Sequence, residues 1–125
     1  MIQPHDDDGI IAIGGTIIRL LRKGWEGVYV YMTDGRHGSQ VIPPSLLKKI
    51  REREAQAERK FLGIKESYAF NVEDGNLFSI SEKEKKAMTR KLVKILRRVD
   101  VIFLPSKADH HIDHRTTYQL AKKSY

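Results

Sequence analysis

Segments with helical spacing alternate along this chain with short apolar runs of the strand type. Apolar residues recur at near-helical spacing over residues 9–23, and residues 27–33 are β-branched and aromatic. After a loop at 34–44, the pattern predicts helices at 45–62, at 81–99 and from about Asp113, with strands at 67–72 and 100–104. Strands that alternate with helices predict βαβ units and a parallel sheet.

The two ends of the sequence fit such a sheet less well. Only residues 1–4 precede the first predicted helix, where a parallel sheet needs a full strand, and Tyr125 lies inside an apparent helix. We therefore expect a single domain over residues 1–125. It is an α/β, Rossmann-like three-layer sandwich with a mostly parallel sheet that is truncated at both ends.

Composition excludes several classes of protein. With 40% hydrophobic and 31% charged residues, the 125-residue chain has the composition of a globular protein rather than a disordered one. Its longest apolar stretch, residues 9–18, is too short to cross a bilayer, and the acidic residues after His5 argue against a signal peptide. We expect a cytoplasmic protein without a membrane partner.

The net charge of +7 raises nucleic acid as an alternative partner. Most of the Lys and Arg residues, however, lie in two runs, 48–60 and 83–98, where they are interleaved with apolar residues at helical spacing. Neither run contains the interleaved aromatic residues on which single strands stack. We interpret both runs as solvated helix faces and expect no nucleic-acid partner.

His and Asp residues concentrate in two short segments. Residues 5–9 read His-Asp-Asp-Asp-Gly and residues 109–114 read Asp-His-His-Ile-Asp-His, and together they hold four of the five His residues. Each segment falls where a predicted strand passes into a helix, and open α/β sheets bind ligands beyond the carboxyl ends of their strands. The chain has no cysteine, so a metal site must use His, Asp or Glu.

A catalytic zinc site accounts for this combination of residue types. Catalytic zinc takes three protein ligands and keeps one position open for water, while a neighbouring carboxylate or His moves the protons of a hydrolysis. Taken separately, three successive Asp residues are more typical of a solvated loop or a charged helix start, and a His at a helix start is common. Together the two segments favour a metal site.

The same residues resemble a known family, the LmbE-like (PIG-L) zinc-dependent N-deacetylases. That family carries a His-Pro-Asp-Asp-Glu motif early and a His-x-Asp-His motif later, which correspond here to residues 5–9 and 111–114. Weaker similarities lie between the two motifs, at Gly-Gly-Thr (14–16), Thr-Asp-Gly (33–35), Arg51, Glu54, Leu-Gly (62–63) and Asp-Gly-Asn-Leu (74–77). The resemblance covers nearly the whole chain.

The resemblance implies a metal, a reaction and a substrate. His5, Asp8 and His114 correspond to the three ligands of one zinc ion per chain. The implied reaction is hydrolysis of an N-acetyl amide to an amine and acetate. Similarity around residues 2–5 and 11–17 to one group of the family points to N-acetylglucosamine units as the substrate, and the family often forms homo-oligomers.

The resemblance also implies catalytic roles. Asp7 corresponds to the general base, and His111 to the residue that stabilises the oxyanion or protonates the leaving amine, with Asp113 positioned to orient it. The chain departs from the family motif at two positions. Asp6 stands where the family has Pro, which removes rigidity and adds a charge that could recruit a different metal, and Gly9 stands where the family has an acidic or small residue.

Three alternatives stay open at this stage. The chain could be a non-catalytic remnant of the family that binds metal or oligomerises, a basic nucleic-acid-binding domain, or a two-metal hydrolase of phosphate esters. The last would need more bridging carboxylates than the two segments supply once Asp7 serves as the base. His37 and His110 are at least as well explained as loop and surface residues.

Overall fold

A computed structural model describes residues 1–125 and contains a parallel sheet of three strands. The strands lie side by side in the order β1 (Ile2–Gln3), β2 (Val28–Thr33) and β3 (Glu66–Val72). Ile2 pairs with Val30 in the first ladder, and Val28 pairs with Glu66 in the second. The predicted α/β class with a parallel sheet is therefore confirmed, and the chain does contain a short strand before its first helix.

Four α-helices accompany the sheet, and none combines the length and apolar character needed to cross a bilayer. They are α1 (Asp8–Arg22), α2 (Pro44–Leu62), α3 (Glu82–Leu96) and α4 (Ile112–Lys122), with a short 3₁₀ helix at Leu77–Ser79. The α3 helix begins with a capping box, because Ser81 accepts a hydrogen bond from the Glu84 backbone while the Glu84 side chain accepts one from Ser81.

The core explains why the sheet has helices on both faces. Side chains alternate along β2, so that Val30 and Met32 point to one face while Tyr29 and Tyr31 point to the other. The first face packs against buried residues of α3 and α4, and the second packs against buried or partly buried residues of α1 and α2, including Ala55. Burial on both faces gives the three layers expected of a parallel α/β sheet.

The predicted strand at 100–104 is not formed. Its backbone makes one sheet-like contact, from the Ile2 amide to the Phe103 carbonyl at 3.0 Å, on the side of β1 that faces away from β2. A ladder needs a partner of matching length, and β1 offers only two residues. Val101 accordingly remains 45% exposed in spite of its apolar neighbours.

Two predicted helix ends were also placed too late. α3 ends at Leu96 rather than near Val99, and α4 ends at Lys122, so Tyr125 lies beyond the helix rather than within it. In both cases the last residues form turns, in which backbone amides reach back three or four residues to the final helical carbonyls. Periodicity alone does not distinguish these turns from a further helical turn.

The parallel arrangement brings the ends of all three strands to one edge of the sheet. The loop after β1 is attached to the end of β2, because the Thr33 amide and hydroxyl both donate to the Pro4 carbonyl at 2.9 Å. Asp34 follows β2 and Asp74 follows β3, and the Asp74 amide donates to the Asp34 carboxylate at 3.4 Å. The site described below is built on this edge.

Candidate metal centre

The loop from β1 to α1 brings His5 and Asp8 together. The His5 amide donates to Asp8 Oδ2 at 2.8 Å, and this turn leaves His5 Nδ1 3.2 Å from the same oxygen. At the start of α1 the Gly9 amide donates to Gln3 Oε1 at 2.8 Å. A Cβ at Gly9 would lie 1.8 Å from the end of the Met1 side chain and 2.6 Å from Gln3 Oε1, so a larger residue at this position would have to displace both side chains.

The first turn of α4 supplies two further imidazoles. His111 is the N-cap of the helix, and its Nδ1 accepts the backbone N–H of Asp113 at 3.2 Å. His114 lies 3.3 Å from Asp8 Oδ1 through its Nε2, while its Nδ1 is 3.0 Å from Asp109 Oδ2. The helix therefore points His114 back at the loop that carries His5 and Asp8.

Two overlapping groups of side chains have the geometry of a metal site. One ligand atom each from His5, Asp8 and His114 lies within 4.8 Å of the others, and the same holds for His5, His111 and Asp113. Two imidazoles with one carboxylate form a donor set that suits catalytic zinc. The first group is the better fit, because both carboxylate oxygens of Asp113 already accept backbone N–H groups.

The electrostatics of the site favour a positive charge at its centre. Burial by itself would lower the pKa of His5, but the carboxylates of Asp113, Asp74 and Asp8 outweigh that effect and raise it to about 11. Their oxygens lie 3.7, 2.9 and 3.2 Å from the ring nitrogens of His5. The protonated ring occupies a position where a cation is stabilised, and a bound metal ion would replace its proton.

Asp113 does not contact His111 in the way the resemblance implied. Its backbone N–H, rather than its carboxylate, reaches the His111 ring. The side chain is fully buried, and it accepts the amides of Gly75 at 2.7 Å and Leu77 at 3.1 Å while it faces His5. The turn after β3 offers these two amides to the carboxylate, and hydrogen bonds from backbone amides to an ionised group are strong.

The carboxylates of Asp6 and Asp7 belong to neither group. Arg51 on α2 lies between them and contacts Asp7 Oδ2 at 3.2 Å and Asp6 Oδ1 at 3.9 Å. Burial is the main reason that the pKa of Asp6 rises to about 6, with the charge of Arg51 acting in the opposite direction. Asp6 thus faces α2 rather than the metal centre.

The remaining His residues lie outside the two groups. His37 donates its backbone N–H to Asp74 Oδ2 at 3.1 Å, and its ring lies 3.1 Å from Glu73 in an exposed pair. His110 is exposed, and its carbonyl accepts the guanidinium of Arg115 at 2.7 Å. Neither ring is directed at the metal centre by a contact in the structure.

Two residues at the site were not assigned a role from the sequence. Asp74 is the hydrogen-bond partner of His5 Nε2, and Asp109 is the partner of His114 Nδ1, so each carboxylate orients a candidate ligand. A signal for Asp74 was present, because it follows a predicted strand, as the two motifs do. Asp109 lay inside the second motif, but nothing in its sequence position indicated a contact with His114.

The three-layer fold and the His and Asp side chains at the carboxyl edge of its sheet define the class of this protein. It is an α/β protein with a candidate catalytic metal site. The chain belongs to the PIG-L family, because the family described as GlcNAc-PI de-N-acetylase matches residues 1–125. This confirms the resemblance seen in the two motifs.

Relatives within this family include deacetylases of archaea. The chain is 33% identical over 121 residues to diacetylchitobiose deacetylase of Thermococcus kodakarensis, in a match covering 91% of this chain and 43% of the relative. It aligns with N,N'-diacetylchitobiose deacetylase from Pyrococcus horikoshii at a TM-score of 0.82 and 35% identity, over 98% of this chain and 47% of that one. The chain therefore spans about half the length of these relatives.

Two further solved structures share the fold. A conserved protein from Thermus thermophilus has a TM-score of 0.79 and 28% identity, over 98% of this chain and 52% of that chain. The 4-carboxy-2-hydroxymuconate hydratase of Pseudomonas putida has a TM-score of 0.80 and 22% identity, over 98% of this chain and 53% of that chain. At this identity the hydratase shows only that the fold is common to proteins of different activity.

Proposed function

We propose that this chain holds one zinc ion on His5, Asp8 and His114 and hydrolyses the N-acetyl amide of an N-acetylglucosamine-type sugar. The observation that carries the proposal is the convergence of these three ligand atoms within 4.8 Å on the carboxyl edge of the sheet. The deacetylase relatives support the reaction class and an acetylated sugar as substrate.

The metal and the residues around it would have separate roles in the hydrolysis. A zinc ion supplies Lewis acidity, which polarises an amide carbonyl and lowers the pKa of water. Asp7, next to the ligand Asp8, takes the proton from the attacking water as general base. The products are the free amine and acetate, so one water is consumed for each amide bond broken.

His111 is the proposed hydrogen-bond donor to the oxyanion, and its own hydrogen bonding supports a particular tautomer. Because Nδ1 accepts the N–H of Asp113 at 3.2 Å, a neutral ring carries its proton on Nε2. The Nε2–H can donate a hydrogen bond to the oxyanion, and the proton that Asp7 takes from water is then available for the leaving amine. The ring lies 4.9 Å from the ring of His5, which keeps it beside the candidate metal centre.

The first experiment combines metal analysis with turnover. The purified chain is assayed for zinc content and for acetate released from N-acetylglucosamine and from diacetylchitobiose, beside an Asp7→Asn variant. We expect one zinc per chain in both proteins and acetate from the unmodified protein alone. Loss of zinc in the variant would make Asp7 a ligand rather than the base, and absence of zinc from both proteins would refute the proposal.

A second candidate function is a metal-binding module of the family without catalysis. It is favoured by one observation, the coverage of only 43–47% of the length of the deacetylase relatives. Zinc at one ion per chain with no acetate from either sugar would support this alternative. Acetate release that depends on Asp7 would exclude it.

We further propose that the protein forms a homo-oligomer in the cytoplasm. Several large apolar side chains are exposed, among them Ile11, Val41 and Phe61 at 77%, 89% and 84%, and their burial between copies of the chain would favour assembly. Light scattering coupled to size-exclusion chromatography tests it, and a mass of one chain at micromolar concentration would contradict it.

A further inference from the structure

The side chain of Arg51 links the metal loop to α2. Its Nη1 lies 3.2 Å from Asp7 Oδ2 and 3.3 Å from Glu54 Oε2, and its Nε lies 3.9 Å from Asp6 Oδ1. The side chains of Arg51 and Asp6 are only 25% and 11% exposed. The guanidinium is therefore the cation that contacts both Asp residues preceding the ligand Asp8.

Arg51 and Asp6 form an ion pair without a hydrogen bond. Both Arg51 Nε and Asp6 Oδ1 are buried, and neither makes a hydrogen bond with another protein group. At 3.9 Å the two atoms are too far apart for a hydrogen bond, but in a poorly solvated position their attraction is stronger than on the surface. Removal of the guanidinium would leave a buried carboxylate without its counter-charge.

The loop that follows β2 is shaped to accept this guanidinium. A Cβ at Gly38 would lie 3.2 Å from Arg51 Nη2. A Cβ at Gly35, where φ is +63°, would lie 3.3 Å from Asp6 Oδ1 and 3.4 Å from Arg51 Cγ. Two glycines therefore let the loop close over the ion pair, and one of them also needs its positive φ.

We propose that Arg51 is a positioning residue that keeps the carboxylates of Asp6 and Asp7 from becoming metal ligands, so that Asp8 is the only carboxylate ligand from this loop and Asp7 stays available as the base. The inference rests on the proposed zinc site. Three successive Asp residues offer up to three oxygen donors, and additional oxygen donors shift the preference of a site from zinc toward harder cations such as manganese. The Arg51 side chain keeps a His-rich site selective for zinc.

Metal selectivity tests this role without a turnover assay. Dissociation constants for zinc and for manganese are measured by competition with a chelator for the unmodified chain, for Arg51→Ala and for Arg53→Ala. Arg53 is an exposed neighbour on the same helix without an ion pair, which makes it the matched control. We expect Arg51→Ala to lower the ratio of the manganese to the zinc constant by about tenfold, in the range seen when groups around metal ligands are removed.

Two further variants separate positioning from folding. Changing Asp6 and Asp7 to Asn in the Arg51→Ala background should restore the ratio, because an amide competes weakly for a cation. Gly38→Ala should displace only the flexible end of Arg51 and lower the ratio in the same direction, even if Arg51→Ala does not fold.

The outcomes are distinct for the two proposals. An unmodified chain that binds no zinc refutes the zinc site and this inference together. If the chain binds zinc but Arg51→Ala and Gly38→Ala keep the ratio within about twofold of the Arg53→Ala control, only the role of Arg51 is refuted. Equal weakening of both metals, without rescue by the two Asn substitutions, would reduce Arg51 to a structural residue.

Discussion

Replacement of the buried carboxylate of Asp113 gives the sharpest test of how the site is held together. This side chain is 0% exposed and accepts the Gly75 and Leu77 amides at 2.7 and 3.1 Å. Burial tends to raise its pKa, but His5 and the two amides hold the pKa below its usual value, so the contacts outweigh the cost of burial. Asp113 therefore stabilises the turn after β3 as well as the site.

The size of the effect follows from the number of hydrogen bonds lost. A hydrogen bond to a charged group contributes about 1.5–3 kcal/mol, so Asp113→Ala should lower the free energy of unfolding by about 4 kcal/mol. Asp113→Asn keeps one oxygen acceptor and should cost about 2 kcal/mol. The total stability of a domain is only about 5–15 kcal/mol, so both changes are large enough to measure.

Urea denaturation of the metal-free protein, followed by circular dichroism, is the appropriate assay, because chelation removes any contribution of zinc. Asp100→Asn, at an exposed Asp without a hydrogen bond, is the control and should change stability by less than about 0.5 kcal/mol. A loss below about 1 kcal/mol in Asp113→Ala would refute the reasoning, because it would mean that the two amides find water or other partners.

Three other predictions concern the metal and the helices. His114→Ala should abolish zinc binding measured by metal analysis after dialysis, because it removes one of the three proposed ligands, and unchanged zinc content would contradict that assignment. Zinc binding at pH 7 should release about one proton, because the raised pKa of about 11 leaves His5 protonated without metal. Calorimetry in two buffers of different ionisation enthalpy measures this release, and identical heats would count against it. Ser81→Ala should lower the free energy of unfolding by about 1 kcal/mol through loss of the α3 capping box, whereas Ser45→Ala, at an exposed position without a side-chain hydrogen bond, should be neutral in the same urea titration.

Local patterns in the sequence predicted most of the elements of the fold. The predicted helices at 45–62 and 81–99 are bounded by local features, the Gly63 that ends α2 with a φ of 72° and the capping box at Ser81, and such features depend on residues within one turn. The strand predicted at 100–104 is not formed, because its formation depends on residues far away in the sequence. Its pairing depends on a strand near residue 2, and an apolar run carries no information about the length of a distant partner.

The same distinction between local and long-range information applies to the candidate site. Both motifs were visible because their His and Asp residues are close in sequence, and the rule for the carboxyl ends of strands brought them to one edge. The contacts of Asp74 with His5 and of Asp113 with Gly75 join residues 69 and 38 positions apart. Such contacts are decided by the packing of the turn after β3, which single-sequence patterns do not describe.

The positions of the two imidazoles in the first candidate group have a mechanical consequence. His5 and His114 lie about 110 residues apart in a chain without cysteine, so no disulfide can restrict its unfolded state. One ion held by both residues would act as a reversible cross-link that closes most of the polypeptide into a loop. A covalent closure of similar span is worth about 4–5 kcal/mol in chain entropy. Metal binding would then connect the loop after β1 to α4, and a chelator would remove this connection without breaking a covalent bond.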